Sequence, residues 1–144
     1  MKLLVYVSQA TRPFTREQLK ELLDYSRARN VQDGITGLLI YRFNPDYDRG
    51  SFLQVLEGPD AAIEDVWRRI SRDRRHHTVV VIEDGGIERR MFGDWSMGFK
   101  NVDAEDLRDF PGFADLGSDA FWETASAGVL REALELLKSF YDGM

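Results

Sequence analysis

The sequence predicts an α+β fold with the element order βαββαβ, a fifth strand, and a helical extension at the C-terminus. Three observations carry that expectation. Apolar, β-branched runs recur at residues 2–8, 35–42, 51–57 and 77–83. Two stretches between them, opening near residues 14 and 59, repeat apolar residues at helical spacing. Turn formers separate the runs. Such an order is the ferredoxin-like arrangement, in which two helices cover one face of an antiparallel-dominated sheet.

Each element has its own signal. KLLVYVS, residues 2–8, alternates as a strand, with Leu4, Tyr6 and Ser8 on one face and Leu3, Val5 and Val7 on the other. FTREQL, residues 14–19, carries a capping box of Thr15 and Gln18 and a staple of Phe14 on Leu19. Leu19, Leu22, Leu23 and Ser26 continue the helical stripe, which is expected to end near Asn30. Asp33–Gly34 reads as a turn ahead of a strand over 35–42. Residues 43–50, FNPDYDRG, read as a long polar loop, and SFLQVLE is a third strand hairpinned to the second. Gly58–Pro59 opens a second helix with Ile63, Val66, Trp67 and Ile70 on one stripe. HTVVVIE, residues 77–83, is a fourth strand and DWSMGFK, residues 94–100, a short fifth. The spacing predicts a weak helix over 104–110 and a better one over 126–141. These two divide the chain into a domain of residues 1–102 and an extension of 103–144, expected to cover the sheet face that the two helices leave bare.

Composition narrows the function. The 144 residues suit one domain, and a hydrophobic fraction of 43% supports a true core. A net charge of −6 argues against a nucleic-acid surface, which needs a basic face. There is no cysteine, hence no disulfide and no thiolate metal site. No apolar run reaches the roughly 18 residues of a membrane span, and MKLLVYVSQ does not read as a signal peptide. A cytoplasmic protein is expected. Glycine-rich phosphate loops, nucleophile elbows and zinc-protease motifs do not occur.

Several polar residues do not suit a core. Gln54 interrupts the apolar third strand on the face of Phe52 and Leu56. A glutamine amide brings two donors and an acceptor, and leaving them unpaired in a core costs about 1–3 kcal/mol. Tyr6 and Asn30 would add a phenol and a second amide to the same pocket under the helices. One such residue is ordinarily satisfied by a neighbour; three converging from three elements point to a ligand. In RISRDRRHH, residues 69–77, the plain reading of Arg69, Asp73 and Arg75 is a solvated helix end. His76 and His77 diverge in extended chain and do not make a metal pair. Trp95 and Met97 are expected on one face of the fifth strand, where core packing is the plain reading.

Taken together, LVYVS, ARN followed by GITGLLIY, SFLQVLEGP, RRISRDRRHH and MFGDWSM resemble the BLUF family of blue-light sensors that use a flavin, over about residues 1–102. The resemblance implies FAD, FMN or riboflavin bound between the two helices. It places the photoactive tyrosine on Tyr6 and the glutamine on Gln54. Cofactor-binding positions fall on Tyr6, Ser8, Asn30, Gln54, Arg69, Asp73, Arg75 and His76, and signal relay on Trp95 and Met97. Arg29 stands where many members carry His or Asn, and the loop 43–50 is longer than the usual tight turn. The implied mechanism sends an electron and then a proton from Tyr6 through Gln54, which ends rotated or tautomerised and shifts flavin absorption to the red. Output would run through the fifth strand to residues 104–144. With only about 40 residues after the sensor, no effector enzyme is expected. The protein is then a non-enzymatic photoreceptor, a homo-oligomer with a downstream protein partner, contacting neither nucleic acid nor membrane. The alternatives on the same scaffold are an acylphosphatase-like hydrolase and a flavin-free interaction domain.

Overall fold

A computed structural model describes residues 1–102 apart from 46, 91 and 94–96; of residues 44 and 98–102 the backbone alone is described. The elements are β1 (Lys2–Ala10), α1 (Arg16–Asp33), β2 (Thr36–Asn44), β3 (Arg49–Gly58), α2 (Asp60–Ser71), β4 (His76–Gly86) and β5 (Gly98–Val102). They build one sheet in the order β4-β1-β3-β2-β5. β1 runs antiparallel to both β3 and β4, and β2 antiparallel to β3. The two helical crossovers therefore each skip a strand, as the ferredoxin-like arrangement requires. Among the described residues no helix is long and apolar enough to cross a membrane.

The crossovers bring β1 and β3 together at the centre of the sheet. Their register sets Leu4 opposite Leu56, Tyr6 opposite Gln54 and Ser8 opposite Phe52. Directly opposed residues share a face. That face also carries Leu39 and Tyr41 of β2 and packs against Leu19 and Leu23 of α1 and Ile63 and Val66 of α2. The polar pair Tyr6–Gln54 thus stands mid-sheet, beneath both helices.

α1 begins as expected. Gln18 N donates to Thr15 Oγ1 at 3.1 Å and Thr15 N to Gln18 Oε1 at 2.9 Å, closing the capping box. Phe14 turns onto the sheet, its ring 5.1 Å from that of Phe52, and joins the core that holds Leu19. The helix runs past Asn30 to Asp33. What reads as a turn is its terminator: Gly34 takes a left-handed φ of 70°, and its N–H donates to the Asn30 carbonyl. The last turn escaped the apolar pattern because Val31 and Gln32 face solvent.

Three other boundaries differ from expectation. The ladder between β2 and β3 continues to Phe43–Gly50 and Asn44–Arg49. The segment read as a loop over 43–50 is therefore half strand, and only residues 45–48 connect the two strands. β4 is longer than 77–83 and lies at the sheet edge, its pairing with β1 shifting register between Val5 and Tyr6 and again between Val7 and Gln9. Thr78 at φ 52° bends the strand there. β5 starts at Gly98, so Met97 precedes the strand instead of lying in it. Trp95 and the expected helical extension with its covering role lie outside the described residues.

Candidate functional site

α1, α2 and the centre of the sheet enclose a cavity of about 290 Å³. Its floor is Tyr6, Leu39, Phe52, Gln54 and Leu56 of the sheet. α1 contributes Leu22, Tyr25, Ser26, Arg29 and Asn30, and α2 contributes Val66, Arg69 and Ile70. Asp73 and Arg75, between α2 and β4, and His76 at the start of β4 complete the wall with Phe14. The lining is apolar below and polar at the rim, the usual constitution of a cofactor site.

On the floor, Tyr6 and Gln54 are only 4% and 6% exposed, as buried as the leucines beside them. The Tyr6 hydroxyl donates to Gln54 Oε1 at 2.5 Å. Gln54 Nε2 in turn donates to the Met97 sulfur at 3.6 Å, a weak acceptor. The reverse amide orientation would aim Oε1 at that sulfur, acceptor against acceptor. Met97 therefore favours the orientation in which Gln54 accepts from Tyr6. Met97 is anchored from outside as well, since its carbonyl accepts from Arg27 Nε of α1 at 2.9 Å. Burial pushes the Tyr6 hydroxyl well above the ordinary phenol range, with the Asp73 charge adding to the shift. The phenol stays a neutral donor. Trp67 packs on it at a ring separation of 5.1 Å and His76 at 6.0 Å.

The polar rim is ordered by its own bonds. His76 Nε2 lies 2.6 Å from the Ile70 carbonyl, which can only accept, so Nε2 carries the proton. Nδ1 then meets the Ser8 hydroxyl at 2.8 Å. Both ring nitrogens are engaged, which leaves neither for a metal. Ser8, itself buried, stands behind His76 rather than on the cavity wall. Arg75 grips Asp73 with two parallel bonds, Nε to Oδ1 at 3.0 Å and Nη2 to Oδ2 at 2.6 Å. That grip holds the Asp73 carboxyl below the usual carboxylate range.

Arg69 is charge-balanced but not hydrogen-bonded there. Nη2 lies 3.6 Å from Asp33 and 3.7 Å from Asp65, beyond bonding distance, and Nε and Nη2 are buried without a hydrogen-bond partner. Arg29 Nε is buried in the same condition. Orphaned donors beside an apolar slot fit a flat heterocycle with carbonyl acceptors on its edge, which is the chemistry of a flavin. The buried Asn30 amide stands on the same wall.

Of the residues expected at the site, Tyr6, Asn30, Gln54, Arg69, Asp73, Arg75 and His76 line this one cavity, and Met97 touches it through Gln54. Sequence reasoning passed over Trp67 as one more residue of an apolar stripe. It also passed over Arg27, whose bond to a backbone carbonyl leaves no mark in a sequence.

Residues 1–98 match the family model BLUF, described as sensors of blue-light using FAD. A photoactivated adenylate cyclase subunit beta of Euglena longa is 35% identical over 114 residues, 78% of this chain. The chain spans 12% of that relative's length. Among solved structures, BlrB, a BLUF protein in its dark state, is similar with a TM-score of 0.71 and 28% identity, covering 93% of this chain and 94% of that one. The photo-activated state of BlsA gives a TM-score of 0.78 and 25% identity over 96% of this chain and 95% of that one.

Proposed function

The chain belongs to the BLUF family, sensors of blue light using FAD, and from that premise we propose that its buried Tyr6–Gln54 pair registers the absorbed photon. It is a blue-light photoreceptor and its cofactor is a flavin; the family removes the hydrolase and flavin-free readings of the scaffold. Tyr6, Asn30, Gln54, Arg69, Asp73, Arg75 and His76 hold the cofactor in the cavity, with Ser8 fixing His76. The bound flavin supplies blue absorption and, once excited, a strong pull on a nearby electron.

What the protein does follows from the hydrogen-bond chain. Tyr6 gives up an electron and its phenolic proton, the proton passing first to Gln54 Oε1, and later recovers both. Gln54 is left turned or tautomerised. A turned amide loses its bond to the Met97 sulfur and offers N–H where it offered C=O. The dark arrangement returns thermally because Tyr6 has recovered its electron and proton and only the Gln54 amide is left altered. Met97, held to Arg27 of α1 and leading into β5, passes the change outward, together with Trp95.

Residues 104–144 carry the output in this reading, acting in the cytoplasm on a protein partner or on the chain's own assembly. The sensor itself performs no turnover.

The observation that carries the proposal is the buried 2.5 Å hydrogen bond from Tyr6 to Gln54. Absorption spectra before and after blue illumination test it. The wild-type protein is expected to be yellow and to shift reversibly to the red. Tyr6→Phe should keep the flavin and lose the shift, because only the donor hydroxyl is removed. Gln54→Leu should lose it too, because the donor remains but the recording amide is gone. A normal reversible shift in Tyr6→Phe would end this mechanism.

A further inference from the structure

The photochemistry leaves one buried carboxylate unused. Glu57 follows Gln54 by three positions on β3, so the two side chains point to opposite faces of the sheet. It is 1% exposed, and a carboxylate so deeply buried requires donors. Its Oε1 accepts from the Phe92 N–H at 2.9 Å and from the Thr36 hydroxyl at 3.1 Å. Arg90 completes the cluster. Nη1 donates to Thr36 Oγ1 at 2.8 Å and to the Glu57 carbonyl at 3.2 Å, and Nη2 donates to the Gly34 carbonyl at 2.7 Å.

Arg90 and Phe92 belong to the connection between β4 and β5, whereas their partners terminate α1, open β2 and lie at the end of β3. The cluster therefore fastens that connection to elements that build the cavity. Phe92 is buried as well, and Met97 follows it by five positions. The Met97 sulfur accepts from Gln54 Nε2, and its carbonyl accepts from Arg27. One short stretch of chain is thus tied at Phe92 by Glu57 and at Met97 by Arg27. β3 meets it at both points, with Glu57 on one face and Gln54 on the other. Glu57, Arg90 and Phe92 themselves stand outside the cavity lining.

We infer that Glu57 and Arg90 are positioning residues for Met97: by fixing Phe92 they keep the Met97 sulfur within reach of the Gln54 amide. The inference rests on the Tyr6–Gln54 reading above and adds to it what sets the lifetime of the red-shifted state. A sulfur that accepts only from the dark orientation of the amide biases Gln54 toward that orientation. Loosening its anchor weakens the bias and slows the return.

The test follows decay of the red shift in the dark after a blue pulse, on the full-length chain with its flavin bound. Arg90→Gln, which cannot span the same acceptors, should slow recovery by roughly threefold or more and leave the amplitude of the shift unchanged. Arg90→Lys, which keeps the charge but not the planar fork, should fall between it and wild type. Glu57→Gln keeps the shape and weakens the bond to the Phe92 N–H, and should slow recovery by a smaller factor. In a Met97→Ala background Arg90→Gln should change nothing further, because the sulfur through which it acts is gone. Unchanged or faster recovery in Arg90→Gln or Glu57→Gln would overturn the inference, and so would equal slowing with and without the Met97 side chain. A wild type with no red shift would overturn the Tyr6–Gln54 reading and the inference with it. A normal shift with unchanged rates in the variants would end the inference alone.

Discussion

Tyr6 is a phenol held among leucines, and its neighbourhood decides its protonation. Burial disfavours the phenolate, so the folded hydroxyl titrates above its ordinary value of 10.0. The sign follows from proton counting. Below about pH 10 the phenol is neutral in both folded and unfolded chains and contributes no pH dependence. Above it, the unfolded chain releases the proton first, and stability falls by up to about 1.4 kcal/mol per pH unit. The red shift should therefore hold a constant amplitude from roughly pH 7 to pH 10. A decline centred near pH 8, followed by difference spectroscopy, would contradict a buried neutral donor. Asn30 is a second test at this scale. Replacing it with alanine removes a buried amide from the cavity wall and should cost about 1–3 kcal/mol of flavin affinity, on the order of tenfold in Kd. Equilibrium titration reads it directly, and an unchanged Kd would remove Asn30 from the cofactor site. Both residues were legible in the sequence because a polar group on an apolar face breaks a periodic pattern. Arg27 was not, since its partner is a carbonyl that every residue carries.

The elements place these groups by register. Tyr6 and Gln54 are 48 positions apart in the chain, and only the antiparallel pairing of β1 with β3 makes them direct neighbours. The β2–β3 hairpin fixes β3 in turn, and Gly37 of β2 is paired with Leu56 of β3. A Cβ there would stand 1.9 Å from the Val55 carbonyl oxygen, with no flexible side chain to yield. Gly37→Ala should destabilise the protein by about 1–3 kcal/mol, as overpacking does. Urea denaturation measures it, and an unchanged midpoint would show that the two strands separate without cost. The capping box of α1 was readable because its signal is local: two side chains three residues apart. The end of α1 and the ends of β2, β3 and β4 were less so. A strand stops where its partner stops, and FNPDYDRG is read as a loop by composition although the ladder continues through its flanks.

At the scale of the whole molecule, a ligand that binds only the folded chain must stabilise it. At a free flavin concentration a hundredfold above Kd, the gain is about 2.7 kcal/mol. For a chain of this size that raises Tm by on the order of 5–10 °C. Differential scanning calorimetry with and without added FAD would show it, and coincident transitions would mean that the cavity does not hold the ligand. For residues 1–102 the sequence by itself determined the order of elements, whether each is a helix or a strand, and the residues that interrupt the apolar pattern. Those properties are written in neighbours a few positions apart, through side-chain period, capping and turn chemistry. Tertiary structure alone decided that Tyr6 donates to Gln54, that Met97 orients the Gln54 amide, that Ser8 serves His76, and that Arg29 Nε is buried without a hydrogen-bond partner. Each of these depends on distances between segments far apart in the chain. Such distances are set by how the sheet closes and how the helices settle on it, and no local pattern records them.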